Sequence, residues 1–371
     1  MAGPAPAEAI ARPDMAGETR KSAVDPTATA RLAQGKTGRL RIALLTLALA
    51  GSMVVSLRFG AHPLSWADLL QLWFPSWSAT AETHRATVVA LLWEIRLPRV
   101  CAAVLIGAGL SVAGASYQGL FRNSLVSPDI LGASSGAAFG AALGIMLSLG
   151  IVAVQSLAFA SGLGAVFLTF ALSRTMGGGH YTLRLVLTGM VVGSLFMAGI
   201  AVLKTLADPY SKLPLITFWL LGSLSSVTRT DLWMLLPPVV LGSTVLLLLR
   251  WPLNAMALGE EEARSLGIPT GQVRGWTLVC ATLITSVAVA VAGVIGWVGL
   301  MVPHLARFWI GANHRDLLPV SLLSGAIFLL WADNLARWLF VVELPLGVVT
   351  CACGVPVFLL VLRRSQRAWS N

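Results

Sequence analysis

Charge is what this sequence has least of. Asp, Glu, Lys and Arg make up only 11% of the 371 residues, while 56% are hydrophobic. A water-soluble domain carries about 25% charged residues, so a polar surface covering the whole chain is excluded. The mean hydropathy of +0.80 agrees. Cysteine is equally sparse. Cys101, Cys280, Cys351 and Cys353 are the four, all in apolar blocks. No pair has metal-ligand context, so they read as small buried hydrophobes. With five histidines and no paired carboxylates or nucleophile-base set at membrane depth, the makings of an embedded enzyme are missing. Acidic residues are outnumbered 16 to 26, for a net charge of +10. The basic residues stand singly at the ends of apolar blocks, which is how loop charges set membrane topology and not how a nucleic-acid patch is built. Gly35-Lys36-Thr37 superficially looks like a phosphate loop, but the earlier glycine it needs is Ala30 and no strand precedes it.

What is present is a series of long apolar blocks. A membrane helix needs about 20 such residues in a row, and the blocks predict helices near 42–58, 98–118, 129–149, 151–173, 183–203, 232–252, 275–294, 297–311, 319–342 and 345–362. The expectation is an all-α polytopic membrane protein with about ten transmembrane helices spanning residues 39–371. Residues 1–38, rich in Ala, Pro, Thr and charge without an apolar period, read as a disordered cytoplasmic tail. Both termini of a ten-helix chain lie on one side. With the N-terminus inside, fourteen Lys and Arg from Lys36 onward fall in inner segments and eight in outer ones, in line with the positive-inside rule. Gly132, Gly136, Gly140 and Gly144 recur every four residues, and Gly189 and Gly193 repeat the spacing. Such faces let helix backbones approach closely. Two outer stretches differ: 59–92, with Trp66, Trp73 and Trp77, suits an interface-lying segment, and 205–230 predicts a short helix containing Trp219.

Few polar residues sit deep in the blocks. His304, after Pro303, reads as a structural group that caps freed backbone or lines a cavity. Asp333 and Arg337 form an i,i+4 pair on one helix face, which lowers the cost of burying either. Pro319 suits the first turn of its helix, and Arg337, eighteen residues on, is then roughly 27 Å further along, near the outer interface. The inner loop 254–272 contains a short helix. Gly259 breaks the preceding structure, Glu260, Glu261 and Glu262 suit a first helical turn, and Gly267 before Pro269 ends it. Ala263 and Leu266 fall on its apolar side, with Arg264 between them.

Several motifs occur in a fixed order: Ile95-Arg-Leu-Pro-Arg-Val100, Gly119-Leu-Phe-Arg-Asn-Ser-Leu-Val-Ser-Pro-Asp-Ile-Leu-Gly132, the Ala257-to-Gly267 loop, Gly296-Trp-Val-Gly-Leu-Met-Val-Pro-His304 and Glu343-Leu-Pro-Leu-Gly-Val-Val-Thr350. In these the chain resembles the permease family that imports iron-siderophore, haem and cobalamin, the large-fold type II ABC importers. The resemblance covers nearly everything after residue 39. It implies a subunit of the bacterial inner membrane that dimerises, with an identical or paralogous copy, around a central pathway. Two cytoplasmic ABC ATPase subunits consume the ATP, and a periplasmic or lipid-anchored binding protein delivers the chelate. No cofactor is expected on this chain. By the same resemblance the 257–267 segment (Gly259, Glu260, Glu261, Glu262, Ala263, Arg264, Leu266, Gly267) couples to the ATPase. Asn123 and Leu125 match the cytoplasmic gate, where Ser124 replaces the family's usual proline. Arg96, Arg99 and Arg337 match the outer arginines that meet acidic residues of the binding protein. Ferric siderophore is the expected cargo, then haem, then cobalamin. The competing reading is an ion-gradient-driven secondary transporter, which would bury coupling acids at mid-membrane; the nearest candidate here, Asp333, is already paired. Reporter fusions at Arg20 and Ala368 are expected to be cytoplasmic; a periplasmic signal from either overturns the ten-crossing topology.

Overall fold

The computed structural model describes residues 26–60, 64–68, 82–175, 181–340 and 342–369, together with Gly3. Two compact units divide the chain, 1–40 and 41–371, and the helical bundle belongs to the second. In chain order the helices are α1 (Pro26–Ser56), α2 (Glu82–Ala90), α3 (Leu97–Leu120), α4 (Ala133–Met146), α5 (Ile151–Thr175), α6 (Tyr181–Leu206), α7 (Lys212–Leu221), α8 (Arg229–Leu248), α9 (Arg250–Leu258), α10 (Glu260–Ser265), α11 (Thr270–Ala292), α12 (Val298–Ile310), α13 (His314–Trp338) and α14 (Leu346–Trp369). No strand occurs among the described residues. Each of the ten apolar blocks holds a helix. Seven helical stretches are long and apolar enough to cross a membrane; α4, α7, α12 and the apolar part of α14 are shorter. α7 supplies the predicted short helix around Trp219.

Where boundaries moved, local chemistry moved them. The first helix starts at Pro26, within the stretch read as a tail; residues 4–25 of that stretch lie outside the described residues, as do Trp73 and Trp77 of the outer connection. The block expected from residue 129 begins instead with a 3-10 turn, Pro128–Leu131, because the Ser127 hydroxyl accepts from the Asp129 backbone N–H and Gly132 takes a left-handed φ of 84°. α8 starts three residues early on a capping box in which the Thr228 and Asp231 side chains bond each other's backbone N–H. Pro319 is not in a first turn. Asn313 caps α13, its side chain accepting from the Arg315 N–H at 3.0 Å, so the helix includes the charged His314-Arg-Asp316 turn and Pro319 lies inside it. At the front of α3, Pro98 has no N–H and its ring crowds the carbonyl four residues back. The chain widens there into a π-helical turn, Leu91–Arg96, where the Leu97 N–H reaches back to the Leu92 carbonyl.

α3 is the centre, buried along nearly its whole length and packed against α8, α11, α12 and α13. In lipid, neighbouring helices gain little by leaving solvent, so close van der Waals contact between small residues must hold them. That is what the glycines provide. A Cβ on Gly107 would stand 2.3 Å from the Gly325 carbonyl oxygen of α13, and one on Gly114 would stand 1.8 Å from the Gly299 carbonyl of α12. The predicted glycine face packs α4 on α5: a Cβ on Gly136 would meet Ala165 at 2.5 Å, and one on Gly140 the Leu157 carbonyl at 2.4 Å. The bundle exterior carries large apolar side chains, among them Phe167 at 73% exposed, Trp233 and Leu241. A water-soluble monomer rarely shows so much apolar surface in one piece, whereas in a bilayer it is simply the solvated face.

Gly114→Val is expected to lower stability by at least the ~1–3 kcal/mol typical of overpacking, because backbone and not a flexible side chain stands in the way. Gly271, with nothing within 4 Å of its added Cβ, supplies the control: Gly271→Ala leaves the melting temperature in detergent unchanged. Equal melting of both variants with wild type would show that the α3–α12 contact does not hold the bundle.

Candidate functional site

Polar groups gather at the two ends of α3, roughly 34 Å apart at about 1.5 Å per residue. At its beginning lie the three arginines expected to face a partner. The structure brings them together but turns them inward: Arg96 is 4% and Arg99 7% exposed, and the Arg337 side chain is as well covered. Arg99 grips the fully buried Asp333 through Nε and Nη2, at 3.0 and 2.9 Å from Oδ1. It also reaches Glu343, Nη1 donating to Oε1 at 3.0 Å. Arg337 approaches the other Asp333 oxygen at 3.0 Å, so the predicted i,i+4 pair is one half of a larger network. Arg337 and Arg96 also tie down the chain after α1, donating to the carbonyls of Phe59 (2.8 Å) and Leu57 respectively. Cations suit a helix C-terminus, where carbonyls lack intrahelical donors. Ser56 and Ser52 add hydrogen bonds to Asn334 and Trp331 at 2.6 and 3.0 Å, sewing α1 to α13. The trio is therefore an internal framework rather than an exposed patch. The buried carboxylate accepts from both cations, and the carbonyl of Phe59 takes a further Arg337 donor, which is the condition for such burial to be tolerable.

Glu343 is the half-exposed member of this network, its side chain 39% exposed. It also borders a cavity of about 270 Å³ with Ser223, Ser225, Gln155 and Asp231, where Gln155 donates to Asp231 at 2.7 Å. Sequence reasoning placed Glu343 in a motif without a role. The signal was an acid just before a Leu-Pro-Leu-Gly helix start.

At the other end of α3, Arg122 takes a positive φ of 51°, and the Asn123 side chain accepts from the Leu125 N–H at 2.9 Å. This tight turn leaves Leu125 54% exposed, with Asn123 beside it. The α10 helix lies at the same end. Gly259, at φ 155°, starts it. Gly267, at φ 77°, stops it: its N–H bonds the Arg264 carbonyl and the Ile268 N–H the Ala263 carbonyl, a Schellman cap. Ala263 is buried as expected, but Leu266 is 57% exposed and projects outward with Leu258, alongside the exposed Glu261 and Glu262. Glu260 is the tether, meeting Arg264 at 2.7 Å and Arg274 of α11 at 2.6 Å, with the Thr270 hydroxyl at 3.3 Å. Partial burial pushes its carboxyl up, but the charges and hydrogen bonds of Arg274 and Arg264 outweigh this and hold it below the ordinary glutamate range. The tether is complete at neutral pH and is lost only as acid carries the solution down through that lowered value.

A polar clasp, missed from sequence, joins the two features. The Asn254 side chain of α9 accepts from the His314 N–H at 2.7 Å and donates to Asn313 at 2.7 Å. The His314 ring fills the space a Cβ on Gly119 would need, its Nε2 2.1 Å from that position. His304, by contrast, lies tilted against the Phe358 ring with centroids 5.6 Å apart, and among the described residues its ring nitrogens have no hydrogen-bond partner. No group of three or more potential metal ligands occurs among the described residues.

The model of the FecCD transport family matches residues 46–364. The chain belongs to that family. It is 36% identical over 327 residues to the molybdate import system permease protein MolB of Haemophilus influenzae, covering 88% of this chain and 96% of that one. It is 38% identical over 336 residues to the Fe(3+) dicitrate transport system permease protein FecD of Escherichia coli K12, covering 88% of this chain and all of the relative. Among solved structures it resembles a metal-chelate type ABC transporter in an inward-facing conformation, with a TM-score of 0.78 and 35% identity over 87% of this chain and 98% of that one. The resemblance to ABC importer permeases drawn from the motifs holds, and the chain is a multi-pass permease subunit of the inner membrane.

Asp333→Ala is expected to destabilise this permease by about 3–5 kcal/mol, the usual cost of leaving buried cations without their partner. Joint replacement of Arg99, Asp333 and Arg337 by apolar residues, which leaves only the half-exposed Glu343 of the network, should recover much of the loss. Thermal melting in detergent reads both, and a neutral Asp333→Ala would remove the network from any role in holding α1, α3 and α13.

Proposed function

We propose that this chain is the membrane-crossing half of an ATP-driven importer of metal-bearing complexes, with ten crossings, both termini cytoplasmic and a second identical or paralogous copy completing a central pathway. Family membership carries the reading; the geometry at the α10 end supports a mechanism. A separate ATPase subunit presses on the exposed face of α10, formed by Glu261, Glu262 and Leu266, with Leu258 beside it. Glu260 and the buried Ala263 transmit the push to α11 and α9 because they leave α10 no independent freedom. The Asn254–His314 clasp passes it to the start of α13 and, through Gly119, to the end of α3. The turn bearing Asn123 and Leu125 follows directly and opens or closes the inner mouth against the second copy. At the opposite end a periplasmic or lipid-anchored binding protein docks. There Arg96, Arg99 and Arg337 hold the rim in place and give it a positive field for acidic partner residues, with Glu343 and the serine-lined cavity receiving the released cargo.

The proposed cargo is a ferric siderophore ahead of haem and cobalamin; the molybdate permease of Haemophilus influenzae makes an oxyanion the second reading. Vesicles holding the permease, its ATPase and its delivery protein decide between them: iron-siderophore uptake driven by ATP is expected, and accumulation of molybdate instead transfers the chain to the second reading. Uptake that follows an ion gradient without ATP overturns the importer altogether. Ala263→Pro, which removes the N–H that bonds the Gly259 carbonyl and closes this helix of under two turns, at about 3 kcal/mol, is expected to leave insertion and ATP hydrolysis intact while uptake falls at least tenfold. Unchanged uptake would make α10 a connector only.

A further inference from the structure

A second feature at the α10 end serves none of these steps. Between α5, α6 and α11 lies an apolar slot of about 430 Å³, lined by Val166, Phe167, Phe170, Leu185, Leu278 and Val279. It opens on the outside of the bundle, where Phe167 and Val279 are largely exposed and Trp276 stands near them. Three arginines converge on aromatic rings at its mouth. The guanidinium carbons of Arg274 and Arg184 lie 4.6 and 5.9 Å from the Tyr181 ring centre, and that of Arg174 lies 4.2 Å from the Phe170 ring. The sequence holds no Asp or Glu from 166 to 190 or from 270 to 290. Glu260 pairs with one of them, Arg274, at 2.6 Å.

A slot walled by hydrocarbon and topped by guanidinium groups matches a molecule that is apolar for most of its length and anionic at one end. Guanidinium groups pair phosphate oxygens bidentately, basic pockets between membrane helices suit anionic headgroups, and an exposed tryptophan at the same level fits the membrane interface. We propose that this face binds one anionic phospholipid, its acyl chain in the slot and its phosphate on Arg174, Arg184 and Arg274. Because Arg274 also holds Glu260, the headgroup and the α10 tether share one guanidinium, which makes occupancy of the site felt at α10.

The test uses the full chain in neutral detergent, titrated at low salt with phosphatidylglycerol, with phosphatidylcholine and with inorganic phosphate, bound lipid being counted by native mass spectrometry. Phosphatidylglycerol is expected to bind more tightly than phosphatidylcholine, and millimolar phosphate should not displace it. Each basic residue near an anionic lipid contributes about fivefold in affinity, so Arg174→Gln with Arg184→Gln should weaken phosphatidylglycerol binding about thirtyfold and phosphatidylcholine, whose choline cation offsets its phosphate, far less. Arg122→Gln with Arg315→Gln, exposed cations at the same end but outside the slot, should change neither. Should the first double variant misfold, the single Arg174→Gln at an exposed position should still show the fivefold loss. Equal binding of the two lipids, equal losses in both double variants, or displacement by inorganic phosphate would each overturn the site.

Discussion

Close approach of helix backbones is the constraint on which the rest depends. In water a helix pair is held by the surface it hides, and imperfect fit is tolerated. In lipid that driving force is weak, and packing contact must replace it. α3 meets this demand with glycines opposite glycines, Gly107 on Gly325 and Gly114 on Gly299, at separations that leave no space for a methyl group. With α3 wedged among four neighbours, its two ends become fixed points, and the groups that carry charge or bend the chain are found there.

The two ends are built differently, in keeping with the different tasks proposed for them. At the Arg99 end a carboxylate is surrounded by cations and buried, an arrangement that is costly to disturb and therefore rigid. It fixes three helices and the chain leaving α1 in one geometry. At the α10 end the polar contacts are partly exposed: a one-glutamate tether, an asparagine clasp, an Asx turn. Contacts of that kind open locally at lower free energy than core packing does, which suits the part of a transporter that has to rearrange.

Much of the fold was legible because the bilayer simplifies the code. A run of about twenty apolar residues has few alternatives to a helix, so every apolar block holds one, and the glycine spacing pointed to the α4–α5 contact. What escaped was set by single polar side chains: Asn313 capping α13 ahead of Pro319, Thr228 and Asp231 starting α8, and Pro98 inducing a π turn. At the site, the short helix between Gly259 and Gly267 could be read because glycines mark both ends. The inward turn of Arg96, Arg99 and Arg337 could not, since the sequence shows that cations lie near an interface but not which carbonyl or carboxylate they face. Asn254 and His314 are sixty residues apart, and no local pattern links them.

The division of labour within α10 has a consequence for how such a subunit can diverge. The residues that make the helix exist, Gly259, Glu260, Ala263 and Gly267, point into the chain or shape its backbone, and the Glu262 carboxylate folds back over Gly259, whereas Glu261 and Leu266 stand outward and exposed. On the coupling role proposed for α10, substitution in the outward set alters what the ATPase encounters without altering the helix behind it. On that proposal one permease body can be re-paired with a different motor by changing outward side chains, while the linkage behind them is inherited intact.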